Sequence, residues 1–189
     1  MDQLSTQKTD EELALLLQQG HEEALSVLID RYDQKLLRYG RKFLSNSDNI
    51  EDIVQDVFIK VYQNIKSFNL SQRFSPWIYR IAHNAFVDQI RRKEKEPLAL
   101  FDFDTLLDHH VVEDPAVEQK EKEEMNVLLE KGLDKLNPLY REVIVLHYFE
   151  NLGYQEIADV LHIPIGTVGI RLKRAREALK KHIPYEQQF

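Results

Sequence analysis

The sequence predicts an all-α protein: two small helical domains joined by an acidic flexible linker, with the C-terminal domain a helix-turn-helix. Three observations carry this. Apolar residues recur at helical spacing along most of the chain, and no alternating strand pattern of useful length or internal repeat interrupts them. An acidic stretch at 97–116 has scattered Leu and Phe but no clear period. The run Gly153-Tyr-Gln-Glu-Ile-Ala-Asp-Val-Leu-His-Ile-Pro-Ile-Gly-Thr-Val-Gly-Ile-Arg-Leu-Lys-Arg-Ala-Arg176 orders a short helix, a tight turn and a longer basic helix.

The elements follow in order. Thr9 to Glu12 has the form of a capping box ahead of Leu13, Leu16 and Leu17. Gly20 interrupts, and a second helix is expected from about Glu22 to Leu44, with Leu25, Leu28, Ile29, Tyr32, Leu36 and Tyr39 apolar. Ser45-Asn-Ser-Asp48 reads as a turn with capping residues. A third helix, about Asp48 to Ile65, carries Ile53, Val54, Val57, Phe58 and Val61. Lys66 to Phe74 is a polar loop with two aromatics, and Ser75-Pro76 opens a fourth helix reaching about Lys93. Pro97 closes this first domain, expected over 5–95. After the linker at 96–116, a second domain is expected over 117–185. There a helix runs from Val117 to about Leu136, and Asn137-Pro138 starts one that continues to about Glu150.

In the closing motif, Ile157, Ala158 and Leu161 make one apolar face, and Ala158 is small where a second helix must cross. Pro164 fixes its own φ and suits a helix start. Val168, Leu172, Ala175 and Leu179 form an inward stripe. The opposite face carries Gly166, Ile170, Lys173, Arg174 and Glu177, with Arg171 and Arg176 on the flanks. A groove-facing centre with basic flanks suits duplex DNA, because side chains reach base edges while cations neutralise phosphates. The plain alternative is an amphipathic helix with a solvated basic face.

Composition narrows the function classes. The chain has 189 residues, no cysteine and a formal net charge of −7. There is no disulfide framework or thiolate chemistry, no bilayer-spanning apolar run and no signal peptide, so a cytoplasmic protein is expected. A negative total is unusual for a protein that binds DNA unaided. The charge is segregated: Arg171, Lys173, Arg174, Arg176, Lys180 and Lys181 face Glu177 alone, while acids dominate from Glu94 to Glu124.

The fourth helix mixes Trp77, Tyr79, Arg80, His83, Asn84, Arg91, Arg92 and Lys93, and Phe68, Arg73 and Phe74 precede it. Rings that stack on unpaired bases, cations that track a backbone and amides that read base edges suit single-stranded nucleic acid. A tryptophan at a helix start is equally at home in a core. In the third helix Glu51, Asp52, Gln55 and Asp56 line up beside the apolar side. That patch would repel DNA and suits a basic protein surface, although charge runs are usually solvated faces.

Together these segments resemble the bacterial extracytoplasmic-function (ECF) sigma factors, the minimal members of the sigma-70 family. The resemblance rests on Asp52-Ile-Val-Gln-Asp-Val-Phe-Ile-Lys-Val-Tyr62, Phe74-Ser-Pro-Trp-Ile-Tyr-Arg-Ile-Ala-His-Asn84, Asp88-Gln-Ile-Arg-Arg92, Leu136-Asn-Pro-Leu-Tyr-Arg-Glu-Val143 and the terminal helix-turn-helix. It covers nearly the whole chain in the family's order. It implies a transcription initiation factor that binds RNA polymerase core, through the β′ coiled coil and the β subunit, and directs it to promoter DNA.

By that resemblance Asp52, Gln55, Asp56 and Phe58 grip the β′ coiled coil. Phe68, Arg73, Phe74 and Asn84 capture a flipped base of the −10 element, offsetting an unstacking cost of a few kcal/mol. Trp77, Arg80, Arg91 and Arg92 support opening and hold the backbone. Thr167, Ile170, Arg171, Lys173, Arg174 and Arg176 read the −35 duplex. The acidic linker threads the catalytic cleft toward the RNA exit channel. An anti-sigma factor, often membrane-anchored, is the family's usual restraint. No cofactor and no small-molecule substrate are implied.

Two departures qualify the match. Gly169-Ile170 follows Gly-Thr-Val where the family often has a basic or small polar pair, so Ile170 is expected to touch a thymine methyl or sugar carbons and Lys173 and Arg174 to carry polar readout. His162 occupies a turn position often held by glycine, and histidine tolerates left-handed φ better than most residues. Neither it nor His109-His110 has a second ligand cluster suited to a metal. Two other classes compete. An autonomous helix-turn-helix regulator is disfavoured by the acidic total and the aromatic–basic fourth helix. An enzyme on nucleic acid would need a nucleophile with its base, a metal cluster or a phosphate cradle, and Asp52 with Asp56 lacks a third ligand.

Overall fold

The structure, a computed structural model, describes residues 8–43, 50–93 and 132–182. The chain divides into two compact units, Met1–Pro97 and Leu98–Phe189. Among the described residues every regular element is helical. The expected acidic linker, the turn at 45–48 and the helix from Val117 as far as residue 131 lie outside the described residues.

In the first unit α1 spans Asp10–Gln18. Its capping box is closed in both directions: Glu12 N donates to Thr9 Oγ1 at 3.2 Å, and Thr9 N donates to Glu12 Oε2 at 2.7 Å. It ends in a Schellman turn, with His21 N on Leu16 O and Gly20 N on Leu17 O, which requires the positive φ of 94° that Gly20 supplies. Helix α2 (Glu23–Phe43) packs along α1 and buries Ala24, Leu28, Tyr32 and Leu36. Asp10 locks the pair: Arg31 Nη1 reaches Oδ1 at 2.6 Å and Tyr32 Oη donates to Oδ2 at 2.6 Å. Helix α3 (Ile50–Asn64) buries Ile53, Val54, Val57, Phe58 and Val61 and lies against both α2 and α4. A 3₁₀ turn, Ile65–Ser67, leads into the loop before α4 (Phe74–Lys93).

Helix α4 begins one residue before the expected Ser75, because the Glu11 carboxylate of α1 accepts from Phe74 N at 2.9 Å and caps it. Its buried face, Ile78, Tyr79, Ala82, His83 and Phe86, meets Tyr39 of α2. Tyr39 lies edge-on to Tyr79 and Phe86, with its hydroxyl 3.3 Å from His83 Nδ1.

In the second unit a 3₁₀ turn, Leu133–Lys135, precedes α5 (Pro138–Ile144). Asn137 caps α5 through Leu139 N at 3.0 Å, with Pro138 in the first turn as expected. Arg141 reaches back to the carbonyls of Leu133 and Leu136. The helix expected to continue to Glu150 changes pitch instead: Val145–Phe149 is a π turn, with Glu150 N on Val145 O. Leu152 N then closes on Leu146 O, and Asn151 takes a φ of 53°. Helices α6 (Tyr154–Leu161) and α7 (Ile165–His182) follow, and α7 packs on both α5 and α6.

Candidate nucleic-acid interface

The turn between α6 and α7 sets the angle of the motif. Glu156 Oε2 accepts from Gly153 N at 2.8 Å and starts α6. His162 ends it in the left-handed region, at φ 55° and ψ 43°, with its N–H on Ala158 O. Pro164 O then accepts from Thr167 N at 2.9 Å and opens α7. The stripe Val168, Leu172, Ala175 and Leu179 is fully buried, which turns the opposite side of α7 outward.

On that outward side Lys173 is exposed, while Thr167, Ile170, Arg174 and Arg176 are half-buried. Arg171 differs from its expected place on a flank, for it is 6% exposed. It stands three residues after Val168 and four before Ala175, at the edge of the apolar stripe, so its guanidinium belongs to the interior of the unit. Ile165 is 50% exposed at the first position of α7, and beside it a Cβ on Gly166 would meet nothing within 4 Å. The helix start is therefore an open, low-relief surface of the kind a base edge can approach. Ile165 was not singled out from sequence, where it reads as one more apolar residue after a proline.

In the first unit, α3 presents Glu51, Asp52, Gln55 and Asp56 to solvent. Phe58, expected beside them, is only 6% exposed and packs inward. Ile59 and Tyr62 occupy the outer stripe in its place, at 53% and 45% exposed. Tyr62 Oη donates to Glu22 at 2.6 Å, and that carboxylate holds the hydroxyl above its ordinary pKa. The face thus combines carboxylates with large apolar groups, which suits a protein partner better than a purely solvated face.

The loop before α4 is built over a cluster of rings. Phe68, Phe74 and Trp77, expected as base-stacking groups, are 4%, 0% and 8% exposed. Their centroids lie 5.1–5.6 Å apart. Tyr32 meets Phe74 edge-on at 5.6 Å. The three rings pack together beneath the loop as its floor. Above it, residues 69–73 are all exposed. Asn69 Oδ1 accepts from Ser71 N at 3.0 Å and from Ser71 Oγ at 2.8 Å, and Gln72 N closes on Asn69 O. Asn-x-Ser in a polar run is the signal that could have found this tip. Arg73, Arg80 and Asn84 are exposed, the last two one turn apart on α4. The side chains of Arg91 and Arg92 lie outside the described residues.

Among the described residues no cluster of His, Asp or Glu could hold a metal ion, and no helix is long and apolar enough to cross a membrane.

Comparison with known proteins fits this geometry. The family Sigma-70 region 2 matches residues 28–96, and Sigma-70, region 4 matches residues 126–179. The ECF RNA polymerase sigma factor SigW of Bacillus subtilis is 35% identical, over 88% of this chain and 92% of its own. The ECF RNA polymerase sigma-E factor of Haemophilus influenzae is 32% identical, over 95% and 98%. Among solved structures, CnrH in complex with the cytosolic domain of CnrY aligns with a TM-score of 0.62 at 25% identity, over 92% of this chain and 96% of that one. The sigma factor RpoE in complex with the anti-sigma factor NepR from Bartonella quintana aligns with a TM-score of 0.58 at 25% identity, over 81% and 92%. With both regions in order on one chain, and relatives aligned over nearly their full length, the chain belongs to the extracytoplasmic-function sigma factors of the sigma-70 family.

Proposed function

We propose that three exposed surfaces divide the work of this transcription initiation factor. The α3 face of Asp52, Gln55 and Asp56, extended by Ile59, grips a basic surface of RNA polymerase core, the β′ coiled coil. The tip at 69–73 with Arg73, Arg80 and Asn84 takes the opened −10 strand, and the buried rings of Phe68, Phe74 and Trp77 form the floor beneath it. The start and outer side of α7, from Ile165 through Thr167, Ile170, Lys173 and Arg174, read the −35 duplex. Ile170 offers apolar contact, and the cations offer hydrogen bonds and phosphate neutralisation. Arg171 supports α7 from inside, and Arg176 stays near the backbone.

The observation that carries this reading is a local contrast between two helix faces, one within each sigma-70 region. Carboxylates line the open face of α3, and bases line α7, within a chain of net charge −7. A protein of that sign meets DNA best with a partner that supplies the rest of the attraction. The family has no chemistry of its own, and we place this member in the cytoplasm with the polymerase. CnrH and RpoE were solved with CnrY and NepR, and we propose a comparable restraining partner here, one that covers the α3 and α7 faces.

Permanganate reactivity of promoter thymines in holoenzyme complexes tests the division. Asp56→Arg is expected to abolish core binding and hence all reactivity. Arg174→Ala should weaken upstream duplex binding roughly tenfold, the loss of one good base or phosphate contact, and spare core binding. Asn84→Ala should leave duplex binding intact and lose reactive thymines. Three variants that fail in the same step would contradict the assignment.

A further inference from the structure

We propose that α1 is the scaffold that sets the 69–73 tip for the opened strand, with Gln18 and Glu11 as its positioning residues. This rests on the reading of that tip given above. The five exposed residues are bounded by Phe68 on one side and Phe74 on the other. Both boundaries are hydrogen-bonded to α1. Gln18 Nε2 donates to Ile65 O at 2.8 Å and to Phe68 O at 2.9 Å. Glu11 Oε1 accepts from Phe74 N at 2.9 Å. Glu11 and Gln18 stand two helical turns apart, so one face of α1 spans both ends of the tip.

The residue types suit the task. A carboxamide nitrogen has two hydrogens, and both go to carbonyls of the same descending turn. A carboxylate at Gln18 would donate nothing and would face two carbonyl oxygens. Glu11, conversely, meets an N–H at the start of α4, where a helix leaves its amides without partners and favours negative charge. The bonds of Asn69, Ser71 and Gln72 give the tip its shape, and those from α1 give it its place. The ring cluster beneath is packed but not directional, so it does not fix the tip as hydrogen bonds do. Helix α1 is held in its turn by the grip of Asp10 on Arg31 and Tyr32. The Sigma-70 region 2 match begins at residue 28, so α1 with Asp10, Glu11 and Gln18 lies ahead of it while the tip and the other partners lie within it.

The test uses holoenzyme assembled from bacterial core polymerase and the full chain, as wild type, Gln18→Glu, Glu11→Ala and Glu11→Gln. Each is offered single-stranded DNA containing a short randomised window, and bound molecules are sequenced. The wild type and Glu11→Gln, which keeps an acceptor oxygen, are expected to enrich the same sequence. Gln18→Glu and Glu11→Ala should flatten that enrichment roughly tenfold, the scale of losing part-buried hydrogen bonds, with core affinity unchanged and the melting temperature lowered by only the few degrees that loss brings. Variants that enrich as the wild type does would overturn the inference alone. So would losses of selection that follow losses of core affinity and melting temperature in step, or a Glu11→Gln variant that fails like Glu11→Ala. A wild type that enriches nothing would overturn the reading of the tip, and the inference with it. Should Gln18→Glu not fold, the Glu11 pair decides.

Discussion

Burial, followed by the hydrogen bond and the charge of Asp10, pushes the Tyr32 hydroxyl well above the usual tyrosine range. The folded chain therefore keeps a proton that the unfolded chain releases near pH 10.0. Above that pH the folded state binds more protons than the unfolded one, so stability linked to Tyr32 is complete below it and falls as pH rises. Tyr32→Phe removes one hydrogen bond and should cost about 1 kcal/mol at neutral pH. It should also lose less stability than the wild type on passing to alkaline pH. Denaturant unfolding of both chains below and above pH 10.0 checks this, and parallel losses would contradict it. At the same scale His162 was readable in advance, since a left-handed residue was expected there and φ is 55°. Arg171 was not, because a helical wheel places a residue by angle and cannot say how wide the neighbouring helices spread over it.

Between elements, Gly40 lets α2, α3 and α4 converge. A Cβ there would stand 2.8 Å from Ile50 Cγ2 and 2.9 Å from Phe86 Cζ, and Phe86 is fully buried. Alanine would gain about 1 kcal/mol in helix propensity, while overpacking a core costs about 1–3 kcal/mol. Gly40→Ala should therefore be less stable by about 1 kcal/mol, measured by denaturant unfolding, and a gain in stability would contradict the packing. The helices themselves were legible because their apolar stripes, the Thr9 capping box and Asn137-Pro138 are local signals. The π turn at Val145–Phe149 was not, since its bonds depend on where Leu152 and Asn151 are drawn by tertiary packing. Composition alone suits Phe68, Phe74 and Trp77 to a nucleic-acid surface and leaves a core place equally open to Trp77, because it does not reveal which way a ring points; all three rings are buried. Gln18 and Glu11 were missed as well: their partners lie 47 to 63 residues away, and no periodicity reports such a contact.

At the scale of the whole molecule, two units each carry one sigma-70 region and each offers one charged helix face, acidic on α3 and basic on α7. By the division of work proposed above, the acidic face of α3 suits a basic polymerase surface and the basic side of α7 suits promoter DNA. A chain built this way is active only in that company. Run-off transcription with purified bacterial core polymerase on pooled genomic promoter fragments, with and without this chain, tests it directly, beside a gel shift by the chain alone. Position-specific transcripts that require the chain are expected, with little shift by the free protein. A tight sequence-specific shift by the free protein, with no gain in transcription, would contradict it.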